Sequence, residues 1–175
     1  MQSLISVIVN YHNGEKYLER CIKSIISQEY KNFEIIAWDN ASTDNSKKII
    51  EKFKEAKIRY FRHPIKENLY KARNRAIEKS SGQLIAFLDS DDWWEENYLS
   101  SREKHFRDTN IDFFYSNTNI FYEKKRKKNY TEIFHYLMEK YFLIWLKIIL
   151  LLSVVQFLKK SYSKNTENLM KIIVL

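Results

Sequence analysis

The feature that most limits the fold of this chain is a repeated change of hydrophobic spacing. Leu4 to Val9 (LISVIV) is a short apolar, β-branched run, and after Asn10-Tyr11-His12-Asn13-Gly14 the apolar residues fall at Tyr17, Leu18, Cys21, Ile22, Ile25 and Ile26. That pattern reads as strand, loop, helix. The unit recurs: Phe33 to Trp38 is a second strand, and Ser46, Ile49, Ile50 and Phe53 mark a helix whose start is signalled by Ser42, Thr43 and Asp44 as cap residues. Ile58 to Phe61 is a third strand, Ala72 to Ile77 lies on a third helix that stops near Ser80-Ser81-Gly82, and Leu84 to Leu88 (LIAFL) is a fourth strand, apolar on both faces. Glu95 to Asp108 suits a fourth helix and Asp112 to Ser116 a fifth strand. Strands without a polar face belong inside a parallel sheet covered on both sides. The alternation therefore predicts an α/β fold, a three-layer α/β/α sandwich with a mostly parallel sheet, as far as about residue 120.

Length and composition are consistent with that. The 175 residues leave room for one ordinary domain, and 45% hydrophobic, 30% charged and 15% aromatic residues are the balance of a folded globular protein. One cysteine, Cys21, and histidines only at 12, 63, 105 and 135 exclude a disulfide framework and a zinc cluster of Cys/His spacing. Met1 to Asn10 has no basic segment followed by an apolar core and a small-residue cleavage site, so a cytoplasmic location is expected. The net charge of +8 comes almost entirely from residues 101–175. Such an excess suits nucleic acid, anionic lipid or a phosphorylated substrate, and equally a solvated face.

In open parallel sheets the ligand lies beyond the carboxyl ends of the strands. The polar residues of this chain cluster there: Asn10 to Asn13, Asp39 to Asp44 and Asp89 to Asp92. Asp89-Ser90-Asp91-Asp92 follows directly on the buried strand LIAFL, and several carboxylates at one sheet edge suit a hard cation such as Mg²⁺ or Mn²⁺. Asp89 and Asp91, two residues apart, also repel each other, so at least one of them is expected to titrate at raised pH. The plainer alternative is that Asp91 and Asp92 only cap the next helix. A P-loop or dinucleotide fingerprint needs several glycines, and the chain has only Gly14 and Gly82. Phosphate recognition would then rest on a metal and on basic side chains, with Arg73 and Arg75 as nearest candidates.

The runs SVIVNYHNGEKYLERCIKSIISQEYKNFEIIAWDNASTDNS and KARNRAIEKSSGQLIAFLDSDDWW resemble the donor-binding domain of bacterial family 2 glycosyltransferases, over residues 3 to about 122. The resemblance implies the Rossmann-like GT-A fold and a nucleotide-diphosphate sugar, UDP- or dTDP-linked, as donor. It implies that Asp91 is the metal-coordinating acid of the DxD motif, with Asp89 beside it near ribose and metal, and that Asp92 caps or supports. Asn10, His12, Asp39, Asn40, Arg73 and Asp89 become the donor-binding set, and Mg²⁺ or Mn²⁺ the cofactor. His12 stands where the family has a Tyr that packs on the nucleobase, and imidazole can stack too. Asn40 stands where the family has an acid bonded to the uracil; it keeps an acceptor oxygen, loses the charge and adds a donor.

Inverting transfer needs a general base on the acceptor hydroxyl. In the family that base is an Asp, often in a Glu-Asp pair downstream of the DxD, but no such pair follows Asp92 here and the last aspartate is Asp112. The expected division is 1–122, a nucleotide-sugar-binding domain, and 123–175, a basic and apolar segment. The latter holds the charge run Glu123 to Lys128 and the stretch Phe142 to Leu158, which falls just short of the roughly twenty apolar residues of a membrane span. A membrane-surface helix, a helix buried on the sheet and an altered or truncated acceptor region all remain open. The function expected is metal-assisted, inverting transfer of a sugar to a saccharide or lipid-linked acceptor, in surface polysaccharide synthesis at the inner face of the cytoplasmic membrane. No nucleic-acid partner is expected, and the alternative is an inactive donor-binding fragment.

Overall fold

The structure, a computed structural model, describes residues 2–53, 57–108, 113–114, 120–122, 125–128 and 171–173. Its elements alternate as the spacing predicts: β1 (Ile5–Tyr11), α1 (Leu18–Ile26), β2 (Phe33–Asn40), α2 (Ser46–Glu51), β3 (Ile58–His63), α3 (Leu69–Ile77), β4 (Leu84–Phe87) and α4 (Tyr98–Asp108). β5 (Phe113–Phe114) and β8 (Lys171–Ile173) add two short strands, and the order across the sheet is β3-β2-β1-β4-β8-β5, with every pairing parallel. The chain divides into two compact units, Met1–Phe114 with Asn168–Val174, and Tyr115–Glu167 with Leu175. The second contains β6 (Ile120–Tyr122) and β7 (Lys125–Lys128), paired antiparallel. The apolar stretch 142–158 and Asp112 lie outside the described residues.

β1, β2 and β4 are buried along their whole length, the mark of strands covered on both faces. Their register sorts the faces. Ser6, Ile8 and Asn10 lie beside Glu34, Ile36 and Trp38. α3 covers this side, since Arg73 sits 5.2 Å from the Phe87 ring, a residue level with Ile8. On the opposite side the amphipathic α1 buries Leu18, Cys21, Ile22 and Ile25, and Lys52 just after α2 pairs with its Glu19 at 3.3 Å. α4 joins that side through Leu99, whose N–H donates to Gln28 Oε1 at 2.9 Å. The layers are thus α/β/α, the predicted sandwich. α4 starts three residues later than expected because Asp92 to Asn97 form an irregular loop before Tyr98 N–H bonds Glu95 O.

At the amino edge of the sheet one carboxylate gathers four strands. Glu34 Oε1 accepts from Ser6 Oγ (2.6 Å) and from Ser81 N–H (2.6 Å), its Oε2 accepts from Arg59 (2.9 Å), and Ser6 Oγ accepts from Gly82 N–H (2.8 Å). Burial alone would raise the Glu34 pKa, but the bonds from Ser6, Arg59 and Ser81 outweigh it and hold it below the ordinary value of 4.5. Gly82 fits because it has no side chain: a Cβ there would lie 2.6 Å from Ser6 N and 2.7 Å from Leu4 O, both main-chain atoms.

Two outcomes follow from this edge. Gly82→Ala should cost about 1–3 kcal/mol, because the clash is with backbone that cannot rotate away; urea denaturation with an unchanged midpoint would refute the close approach. Glu34 has its folded-state pKa below that of the unfolded chain, so its contribution is fully present above pH 4.5 and is lost as pH falls through the lower folded value. Wild type should therefore lose stability on acidification more steeply than Glu34→Gln, and parallel acid limbs in the two proteins would contradict this.

Candidate functional site

β1 lies between β2 and β4, and the chain winds outward from it in opposite directions, so the loops after β1 and β4 part and leave a crevice at the carboxyl edge. The loop after β1 is bound to the loop after β2 by reciprocal bonds. Asn13 N–H donates to Ser42 Oγ (3.0 Å) while Thr43 N–H donates to Asn13 Oδ1 (2.8 Å), and Gly14 N–H donates to Ser46 Oγ (2.9 Å). Glu15 N–H donates to Asp44 Oδ2 (2.9 Å), and Asn45 returns two bonds to the Glu15 carboxylate. Asp44 Oδ1 also accepts (3.0 Å) from the N–H of Ser46, the first residue of α2, although the cap position itself is Asn45 and its side chain makes no cap bond; Ser42 and Thr43 stitch the loops together. Burial raises the Asp44 pKa, and the bonds from Ser46 and Glu15 more than reverse that.

Asp39 is wholly buried. Its carboxylate accepts from Ser42 N–H (2.7 Å) and Tyr60 Oη–H (2.9 Å), so it shapes the second loop from beneath. Burial and then the bond to Asp39 push the Tyr60 hydroxyl up to about 12, which keeps it a proton donor. Asn40 forms a two-point clamp with the backbone of Glu67, donating Nδ2–H to Glu67 O (2.7 Å) and accepting Glu67 N–H at Oδ1 (2.9 Å). The clamp leaves one Nδ2 hydrogen and the second lone pair of Oδ1 for a ligand. Ala41 then takes φ 61°, a left-handed conformation that costs a residue with a Cβ roughly 1–2 kcal/mol.

His12 Nδ1 lies 2.9 Å from Asn40 O. A carbonyl only accepts, so Nδ1 carries the hydrogen and Nε2 of the neutral ring is the acceptor. Asn10 is nine-tenths buried, and neither its Oδ1 nor its Nδ2 has a protein hydrogen-bond partner among the described residues. A buried amide left this way is costly unless water or a ligand completes it.

The acidic loop follows β4. Asp89 Oδ1 pairs with Arg73 at 2.7 Å, so these two predicted residues are brought together, while Arg75 is occupied by Glu67 at 2.7 and 3.1 Å. The buried Cys21 thiol, its pKa raised chiefly by burial, stays protonated 3.7 Å from Asp89 O. Asp91 is exposed. The raised titration falls on Asp92, outside the expected pair, first through burial and then through Asp91 and Asp89, with Arg20 opposing. Among the described residues no cluster of three or more His, Cys, Asp or Glu could cage a cation by itself. The donor set of one or two carboxylates still fits Mg²⁺ or Mn²⁺, which take their remaining oxygens from water and substrate phosphates.

Sequence reasoning missed three contributors. Arg20 stacks 3.9 Å over the Trp93 ring and donates to Asp91 O (3.1 Å), fixing the backbone of the acidic loop. Glu67 anchors Asn40, and Tyr60 holds Asp39. Arg20 falls on the polar side of α1, where helical spacing shows only a solvated face. The other two act across more than twenty residues, and no local pattern announces them. The clamp explains why an amide stands at 40: a carboxylate could accept from Glu67 N–H but would face Glu67 O with no hydrogen to give. Asn40→Asp should therefore destabilise the fold by about 1–3 kcal/mol at pH 7 although it restores the acid of the family pattern; an equal or higher denaturation midpoint would show that the clamp is dispensable.

Comparison with known proteins agrees with this geometry. The profile described as Glycosyl transferase family 2 matches residues 6–165, well past the point where the motifs end. The Escherichia coli UDP-Glc:alpha-D-GlcNAc-diphosphoundecaprenol beta-1,3-glucosyltransferase WfaP is 38% identical over 121 residues, which are 69% of this chain and 47% of that protein. S. aureus TarS in complex with UDP-GlcNAc superposes with a TM-score of 0.64 at 24% identity, covering 70% of this chain and 36% of TarS. The Pyrobaculum calidifontis mannosyltransferase PcManGT, in complex with GDP-Man and Mn²⁺, does so with a TM-score of 0.63 at 20% identity, covering 67% of this chain and 36% of that one. These two likenesses show the GT-A fold, and the chain spans slightly less than half the length of WfaP. With the family profile matched over most of its length and the family's loops assembled at one sheet edge, this chain belongs to glycosyl transferase family 2.

Proposed function

We propose that the crevice beyond β1 and β4 binds a nucleotide-diphosphate sugar, UDP- or dTDP-linked, and that the protein passes the sugar, with inversion, to a saccharide or lipid-linked acceptor in surface polysaccharide synthesis. The observation that carries this reading is the convergence of three loops at the switch point of the sheet, in a chain of this family. WfaP, by its name, uses UDP-Glc and an acceptor linked to diphosphoundecaprenol, which supports the uridine and lipid-linked assignments. The base packs on His12, whose ring is held by Asn40 O, and Asn10 and the open lone pair of Asn40 lie within the same group of loops. Asp39 works through the loop that it supports. Arg73, already beside Asp89, supplies N–H groups to the diphosphate.

Asp89 and Asp91 hold Mg²⁺ or Mn²⁺ in this reading. Held there, such a cation would supply charge to stabilise the departing diphosphate. Arg20 keeps the Asp91 backbone in place for that role. A lipid-linked acceptor sets the work at the inner face of the cytoplasmic membrane. No helix among the described residues is long and apolar enough to cross a membrane.

Ligands that bind only the folded chain raise its melting temperature by mass action, by about 2.7 kcal/mol at a hundred times the dissociation constant. Scanning calorimetry should show a larger rise with Mn²⁺ and UDP together than the two separate rises combined. Asp91→Asn should remove most of the joint effect. A joint rise of the same size in wild type and variant would mean that the acids only cap the following helix.

A further inference from the structure

Three large apolar side chains stand exposed in the described part of the molecule, and all fall within six residues: Ile65 (69% exposed), Leu69 (49%) and Tyr70 (39%). They occupy the turn after β3 and the first turn of α3, at the carboxyl edge of the sheet. Glu67 lies between them and is bonded at two points to Asn40, so the patch is fixed to the second site loop. Its charge is one-sided. Lys66 and Lys71 are exposed and in no ion pair among the described residues, while the one acid of the segment, Glu67, is neutralised by Arg75 at 2.7 Å, a bond that holds its pKa below the usual range.

Scattered apolar residues on a surface need no explanation, whereas a cluster rimmed by unpaired lysines does. Three side chains are far too few for the ~800 Å² per partner of a stable protein interface. Shallow insertion into a bilayer needs no such area: a few apolar anchors sink among the acyl chains, a tyrosine sits at headgroup level and lysines reach anionic phosphates. We propose that residues 65–71 dock this face onto an anionic membrane surface and present the site rim to lipid headgroups. This deepens the lipid-linked part of the reading above and rests on it.

The test is co-sedimentation of the 175-residue chain with vesicles of phosphatidylglycerol and phosphatidylethanolamine, and with phosphatidylcholine alone. Binding is expected only to the anionic vesicles. Lys66→Gln with Lys71→Gln should weaken it about 25-fold, about fivefold per lysine, and Ile65→Ser with Leu69→Ser should weaken it at least as much. Melting temperature and the Mn²⁺-dependent response to UDP, measured on the same samples, should stay at wild-type values. Binding unchanged in both double variants would overturn the proposal by placing membrane contact elsewhere in the chain, as would no binding by wild type. A concentration-dependent dimer abolished by Ile65→Ser with Leu69→Ser, without vesicle binding, would overturn it in favour of a second copy. Loss of the UDP response in wild type would count against donor binding and leave the vesicle result to be read on its own.

Discussion

The carboxyl edge of this sheet can hold a site only because its strands keep register, and the Glu34 carboxylate fixes that register at the opposite edge. Through Ser6, Arg59, Ser81 and Gly82 it reaches β1, β2, β3 and the entry to β4, each within three residues of the strand's start. A one-residue slip of any strand would move a buried side chain to the wrong face. In a parallel sheet the same slip would also displace the loop at the far end. The bonds to the Glu34 carboxylate are short and at least partly withdrawn from solvent, which strengthens charge-assisted hydrogen bonds. Registration and site construction thus occupy opposite ends of the same strands.

At the site end the work falls to main-chain groups. Asn13, Gly14, Glu15, Ser42, Thr43, Asn45 and Ser46 each contribute an N–H to a bond with a side chain at this edge, which satisfies donors that a helix start and a loop would otherwise expose. The left-handed Ala41 and Asn13 sit in these two loops. Strain of that kind persists where surrounding bonds over-determine the conformation, and here they do.

How much of this the sequence revealed depended on the range of the cause. The strands and helices rest on local spacing, and their order emerged intact, down to the position of LIAFL and the acids behind it. Their ends were less legible: β2 runs on to Asn40 and β3 to His63 because the two pair there, a relation that neither segment carries alone. Among site residues, Asp89 and Arg73 were placed in one site and meet at 2.7 Å. Asp39 was grouped with its neighbour as a ligand residue; its wholly buried carboxylate accepts from Ser42 N–H and Tyr60 Oη–H, partners that local spacing does not reveal. The Asn40 clamp was invisible because its partner is backbone, which has no signature in the sequence.

The remaining question is how a loop of four closely spaced polar residues stays ordered with three carboxylates in it. Mutual repulsion favours spreading them apart, and it is part of what raises the Asp92 pKa. Arg20 counters this without forming a side-chain ion pair with any of the three acids among the described bonds. Its guanidinium sits 3.9 Å over the Trp93 ring, lies 5.5 Å from the Tyr17 ring and gives a hydrogen to the Asp91 carbonyl. A salt bridge would have consumed one carboxylate, as Arg73 consumes one oxygen of Asp89. By bonding the carbonyl, Arg20 brings positive charge to the loop without drawing any of its carboxylates into a salt bridge.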